Sequence, residues 1–195
     1  MSETRDKRRR TDLDQFVLAL IDSGVSTSYE FQKAAGLSQG ATIPTLQRLL
    51  DARLVRQEKP GTRGRTGYQV TAAGKRLLKD GWVALIEAGP IGDVDSDLRV
   101  ALLALLGGAD RRLAADFLRQ SADEKMESVA AIESIRNPRE LPLLPRWYSD
   151  LRSSTAKALL TAESEAIRAM ADALPRKLAP GCSRSTRAAK KRKGS

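Results

Sequence analysis

The chain of 195 residues carries 34 Lys and Arg against 24 Asp and Glu, a formal charge of +10, with no histidine and a single cysteine, Cys182. These counts exclude an intrachain disulfide framework, a Cys/His zinc site, and any Ser-His-Asp or Cys-His catalytic arrangement. A composition that is 41% hydrophobic but only 4% aromatic suits a soluble, mainly helical protein with a core of Leu, Ala, Val and Ile, and fits a reducing cytoplasm.

Residues 1–10 are polar and charged and read as a flexible basic arm, with Arg8, Arg9 and Arg10 able to add non-specific affinity for a polyanion. Thr11 is placed to cap a helix whose stripe is Leu13, Phe16, Val17, Leu20 and Ile21, ending at Gly24. The apolar run from Phe16 to Ile21 meets Asp22 after six residues, too short for an export signal or a membrane span. Val25-Ser26 reads as a strand stub. Thr27-x-x-Glu30 has the capping-box pattern, and the helix it opens, through Tyr29, Phe31, Ala34 and Ala35, stops at Gly36.

The next helix, Ala41 to Leu50, has apolar residues at 43, 46, 49 and 50. That spacing predicts one buried face and leaves Thr42, Thr45 and Arg48 on the outer face, where they could bond base edges or phosphate oxygens. Pro44 is tolerated best in a first turn, which sets the expected start near Thr42 or Ile43. Two β-type runs follow, Leu54 to Lys59 and Tyr68 to Thr71, around a Pro60-to-Gly67 turn that carries Arg63 and Arg65 and no acid. Arg63 and Arg65, with Lys59 beside them, are the phosphate or minor-groove candidates. Thr71-Ala72-Ala73-Gly74 opens a further helix through Leu77 and Leu78 to Ile86, broken by Gly89-Pro90. Residues 1–80 hold 15 basic against 9 acidic side chains, a net of +6.

The remainder reads as helical. Leu98 to Leu106 is a buried helix; Asp93, Asp95 and Asp97 before it lack the spacing of a calcium loop and read as capping acids. Asp110 opens a helix through Phe117, Leu118, Met126 and Val129 that stops at Asn137-Pro138, and the Pro-punctuated stretch 141–145 leads to Trp147 and Tyr148. The last helix carries Leu151, Leu159, Ala162, Ala166, Ile167, Met170 and Leu174. Its small residues permit close approach of a second helix, so Leu151, Leu159, Ala166, Ile167, Met170 and Leu174 are the expected dimerisation residues. Residues 81–175 net −4, and residues 176–195, net +8, read as a disordered basic tail. Trp82, Trp147 and Tyr148 either line an effector pocket or serve as core and interface residues, the simpler reading.

This order of elements resembles the PadR-like winged-helix transcriptional regulators. The likeness rests on Tyr29-Glu30 at the start of the second helix and on Gly40-Ala41-Thr42-Ile43-Pro44-Thr45-Leu46-Gln47-Arg48-Leu49 as a recognition helix. It extends to Leu54-Val55 and Tyr68-Gln69-Val70-Thr71 bounding the wing, and to Thr71-Ala72-Ala73-Gly74-Lys75. Ile43 stands where that family usually has an aromatic, and Thr27-Ser28 where it has His-Gly; MarR-like and other winged-helix regulators share the general order. The resemblance implies a mainly α fold with a small β-wing: a winged helix-turn-helix over residues 11–86 and a helical dimerisation region over 98–175. It further implies a bacterial, cytoplasmic, nucleoid-associated homodimeric repressor on a palindromic double-stranded DNA operator, with neither cofactor nor metal.

Three function classes compete. A sequence-specific repressor leads. An architectural or partner-binding winged-helix protein with non-specific DNA affinity is the alternative, separated from the first by whether one duplex outcompetes random DNA at matched salt. An enzyme is disfavoured, since no phosphate-binding Gly loop or nucleophile motif is present.

Overall fold

A computed structural model describes residues 2–25, 27–58, 67–134 and 146–175. The chain divides into two compact units, the first running to Trp82 and the second beginning at Val83. The boundary falls inside a helix, four residues before the expected end of the first domain at 86. No helix among the described residues is long and apolar enough to cross a membrane.

In the first unit, α1 spans Ser2–Asp22, α2 Ser28–Ala35 and α3 Gln39–Asp51. The α1 backbone is helical from Ser2, so a helix replaces the arm expected over residues 1–10 and Thr11 is interior to it. Val25 closes the turn after α1, its N–H bonding Leu20 O at 2.9 Å, in place of the expected strand stub. The capping box forms as read: Thr27 Oγ1 accepts from Glu30 N–H and Glu30 Oε2 accepts from Thr27 N–H. Gly36 takes the left-handed conformation, φ +65°, that ends α2.

Ser38 caps α3, so the helix begins at Gln39, ahead of the expected Thr42. Pro44 therefore sits beyond the first turn, and Gly40 O loses its usual i+4 partner. Both residues are exposed, so water can satisfy that carbonyl. Arg53, at φ +56°, closes α3 where glycine is usual, with Leu54 N–H bonding Leu49 O. The hairpin follows: β1 is Val55–Gln57 and β2 Tyr68–Val70, antiparallel, with Val55 opposite Val70 and Gln57 opposite Tyr68. Val17, Leu18 and Ile21 of α1 pack with Phe31 of α2, Leu46 and Leu49 of α3, and Val55 of β1 in one core.

Helix α4, Ala72–Glu87, starts at a tight junction. Thr71 Oγ1 accepts from Gly74 N–H at 3.2 Å, while the Thr71 hydroxyl donates toward Arg53 O and Leu54 O and its N–H bonds Leu54 O. Gly74 is buried against Leu54 O, Val70 and Leu18, which leaves no room for a side chain.

The second unit holds α5 (Val94–Leu106), α6 (Arg111–Ser134) and α7 (Arg146–Ala173). Asp93 caps α5 by accepting from Ser96 N–H. Helices α6 and α7 run antiparallel, because Arg111, Asp123 and Glu133 meet Leu174, Arg168 and Lys157 in reverse order. Their shared core is fine-grained, with Ala114, Ala115, Ala122 and Ala171 around Phe117, Leu118 and Ile167. A buried polar knot joins the elements. Asp97 accepts from Ile91 N–H, Gly92 N–H and the Ser121 hydroxyl, and Lys125 Nζ donates to Gly92 O at 2.9 Å and Glu163 Oε2 at 2.6 Å.

Candidate nucleic-acid interface

The residues buried along α3 are Thr42, Thr45, Leu46 and Leu49, a stripe of i, i+3, i+4 and i+7. This corrects the expected facing. Thr42 and Thr45 are fully buried, whereas Ile43, expected in the core, is 58% exposed. The reason is local hydrogen bonding. The Thr42 hydroxyl donates to Ser38 O at 2.8 Å, and Thr45 Oγ1 accepts from Arg48 Nη2 at 2.9 Å. With each oxygen satisfied nearby, the threonine methyls can enter the core at little cost.

Arg48 is committed as well. Its Nε donates to both Asp14 oxygens at 3.0 and 3.2 Å, and its Nη2 to Asp14 Oδ1 at 2.5 Å. The pairing pushes the guanidinium above its ordinary value, against the opposing effect of partial burial. A bidentate arginine–carboxylate contact fixes geometry as well as charge, so Arg48 ties α3 to α1 while 40% of its side chain stays exposed. Of the expected reading residues, Arg48 and Thr45 thus come together, but with Asp14 on the inner flank.

What faces outward is a different set. Gln39, Ile43 and Gln47 are exposed and follow one another at i, i+4 and i+8, with Gly40 and Pro44 beside them. Gln47 Nε2 donates to Asp51 Oδ1 at 2.9 Å. The sequence held the clue: once the threonines are counted as β-branched core residues, the stripe rotates and these residues remain outside. On the hairpin, Arg56 is exposed and bonds Gln69 Oε1 across the strands. Lys59, Arg63 and Arg65 lie outside the described residues, in the connection between β1 and β2, as do residues 176–195.

In the second unit, the expected dimerisation set splits between two faces of α7 and Leu174 just beyond its end. Ile167 is fully buried and Leu174 nearly so, within their own unit, which removes them from any surface; Met170 is half-buried. Leu151 and Leu159 are 58% and 59% exposed, and Ala158, Ala162, Ala166 and Ala169 continue the outer face. Trp147, 67% exposed, meets Tyr148 edge to face at 6.0 Å on the surface of α7, so it is not a core residue. Trp82 donates its indole N–H to Lys79 O, one turn back on α4. Of the three neighbouring acids, Asp93 caps, Asp97 is buried in the polar knot and Asp95 is exposed. Among the described residues no group of three or more Cys, Asp or Glu could hold a metal ion.

No family model matches this chain, and no curated protein matches it at a significant level.

Proposed function

We propose that this chain is a sequence-specific, double-stranded-DNA-binding transcriptional regulator: a homodimeric repressor built on a PadR-like winged helix-turn-helix. In this reading α2 and α3 form the helix-turn-helix, α3 enters the major groove, and the β1–β2 hairpin is the wing. The observation that carries it is the uncommitted outer face of α3, with Gln39, Ile43 and Gln47 free of the core on a helix fixed to α1 by Arg48 and Asp14. The hairpin that directly follows brings the cationic sequence Lys59, Arg63 and Arg65, and phosphate neutralisation needs such clustered cations. No catalytic role is assigned.

The two-faced α7 supports the dimer. One face buries Ser164, Ile167 and Ala171, while the other leaves Leu151, Leu159, Ala162 and Ala166 exposed. A winged helix reads one half-site, and a two-fold partner supplies the second. The test is competition: full-length protein on a duplex enriched from a random pool, challenged with scrambled duplex at the same salt. A preference of about 1,000-fold or more supports a regulator. Equal competition by scrambled DNA supports the architectural reading instead.

A further inference from the structure

Resting on the DNA-reading role above, we infer that α3 selects A·T base pairs, with Gln47 reading adenine and Ile43 reading the thymine methyl group. Arg48 is the sole cation of α3, and its guanidinium is already shared between Asp14 and Thr45. The commonest specific contact to guanine is a bidentate Arg or Lys on O6 and N7, and none of the exposed residues of α3, Gln39, Gly40, Ile43, Pro44, Gln47 and Asp51, is a cation.

What the face does offer is an amide and an alkyl group on one row. Gln47 Nε2 has two hydrogens, of which one goes to Asp51. The other hydrogen and Oε1 remain, and together they match adenine N7 and the N6 amino group. Asp51, one turn along the exposed face, steadies the Gln47 amide through that hydrogen bond. Ile43, exposed with no polar atom in its side chain, has one favourable partner in a major groove, the C5 methyl of thymine. The row from Gln39 to Gln47 spans about 12 Å at 1.5 Å per residue, or roughly three to four base-pair steps. Gly40 and Pro44, small and exposed beside that row, add no competing donor side chain.

The experiment replaces single atoms in the DNA. Binding-site selection with full-length protein yields a preferred duplex; variants of it then carry 7-deazaadenine for adenine, or uracil for thymine, one position at a time. At one position 7-deazaadenine should weaken wild type by about 5- to 150-fold and leave Gln47→Ala unchanged. At a neighbouring position uracil should weaken wild type and leave Ile43→Ala unchanged. Both side chains are exposed, so melting curves of the variants should overlay wild type. A preferred duplex that tolerates every such substitution, or that has G·C pairs under α3, overturns the A·T assignment and leaves the regulator reading standing. If selection yields no preferred duplex at all, both fall.

Discussion

Gly74→Ala tests the junction that joins the hairpin to the helix core. A β-carbon there would lie within overlap distance of Leu54 O, 2.7 Å from Val70 Cγ1 and 3.2 Å from Leu18 Cδ1. The carbonyl cannot simply move aside, because Leu54 O accepts from Thr71 N–H at 2.9 Å and lies 3.1 Å from the Thr71 hydroxyl. Alanine gains up to about 1 kcal/mol over glycine in a helix, but overpacking of this kind costs about 1–3 kcal/mol or more. Obstruction by a fixed backbone atom places the substitution at the high end, for a net loss of about 2 kcal/mol. In a unit of this size that lowers the melting temperature by roughly 8–16 °C. Gly40→Ala is the control of opposite sign. It too lies in a first helical turn, yet the nearest atom to its β-carbon is Ser38 Oγ at 3.9 Å, so alanine should be neutral or stabilise by up to about 1 kcal/mol. The assay is thermal and urea unfolding by circular dichroism, with hydrogen exchange of peptides from residues 12–58 assigning the transition to the first unit. Equal stability of Gly74→Ala and wild type would refute the junction as described.

Three further outcomes follow from the same contacts. Asp14→Asn weakens the tie between α1 and α3; with both side chains partly exposed, the loss should be no more than about 1 kcal/mol and shrink at high salt, which urea titrations at two ionic strengths check. Glu163→Ala leaves the Lys125 ammonium, 4% exposed, without its carboxylate and should destabilise the second unit by about 3–5 kcal/mol, whereas Lys157→Ala, at a more exposed pair, should cost under about 1 kcal/mol, both read by urea unfolding. Ala162→Glu on the outer face of α7 should convert a dimer to monomer by light scattering with an unchanged circular dichroism spectrum, since it touches no buried group.

The features legible in sequence were those with local causes. The capping box at Thr27 and Glu30, the left-handed Gly36 and the Thr71 start of α4 each need partners within four residues, and each formed as read. The hairpin was legible from its turn, since two β-type runs flank the Gly- and Pro-bearing stretch 60–67. The facing of α3 was not, because hydrophobic counting treats threonine as polar, whereas a hydroxyl that bonds the O of the cap residue Ser38, four residues back, leaves a β-branched side chain fit for the core. The commitment of Arg48 to Asp14, 34 residues away, has no local signature. The Asp97–Ser121 and Lys125–Glu163 contacts bridge 24 and 38 residues and were equally invisible. The last helix was read as one stripe because an Ala-rich helix shows apolar residues on two faces. Only burial separates Ile167 and Leu174 from Leu151, Leu159 and Ala166.

The central claim is that the outer face of α3 and the following hairpin touch DNA. Hydrogen–deuterium exchange of the full-length protein, alone and saturated with its selected duplex, tests it most directly. Added protection is expected over residues 38–47 and 55–70, with α5 and α6 unchanged. Protection confined to residues 83–175, with α3 exchanging as in the free protein, would contradict it.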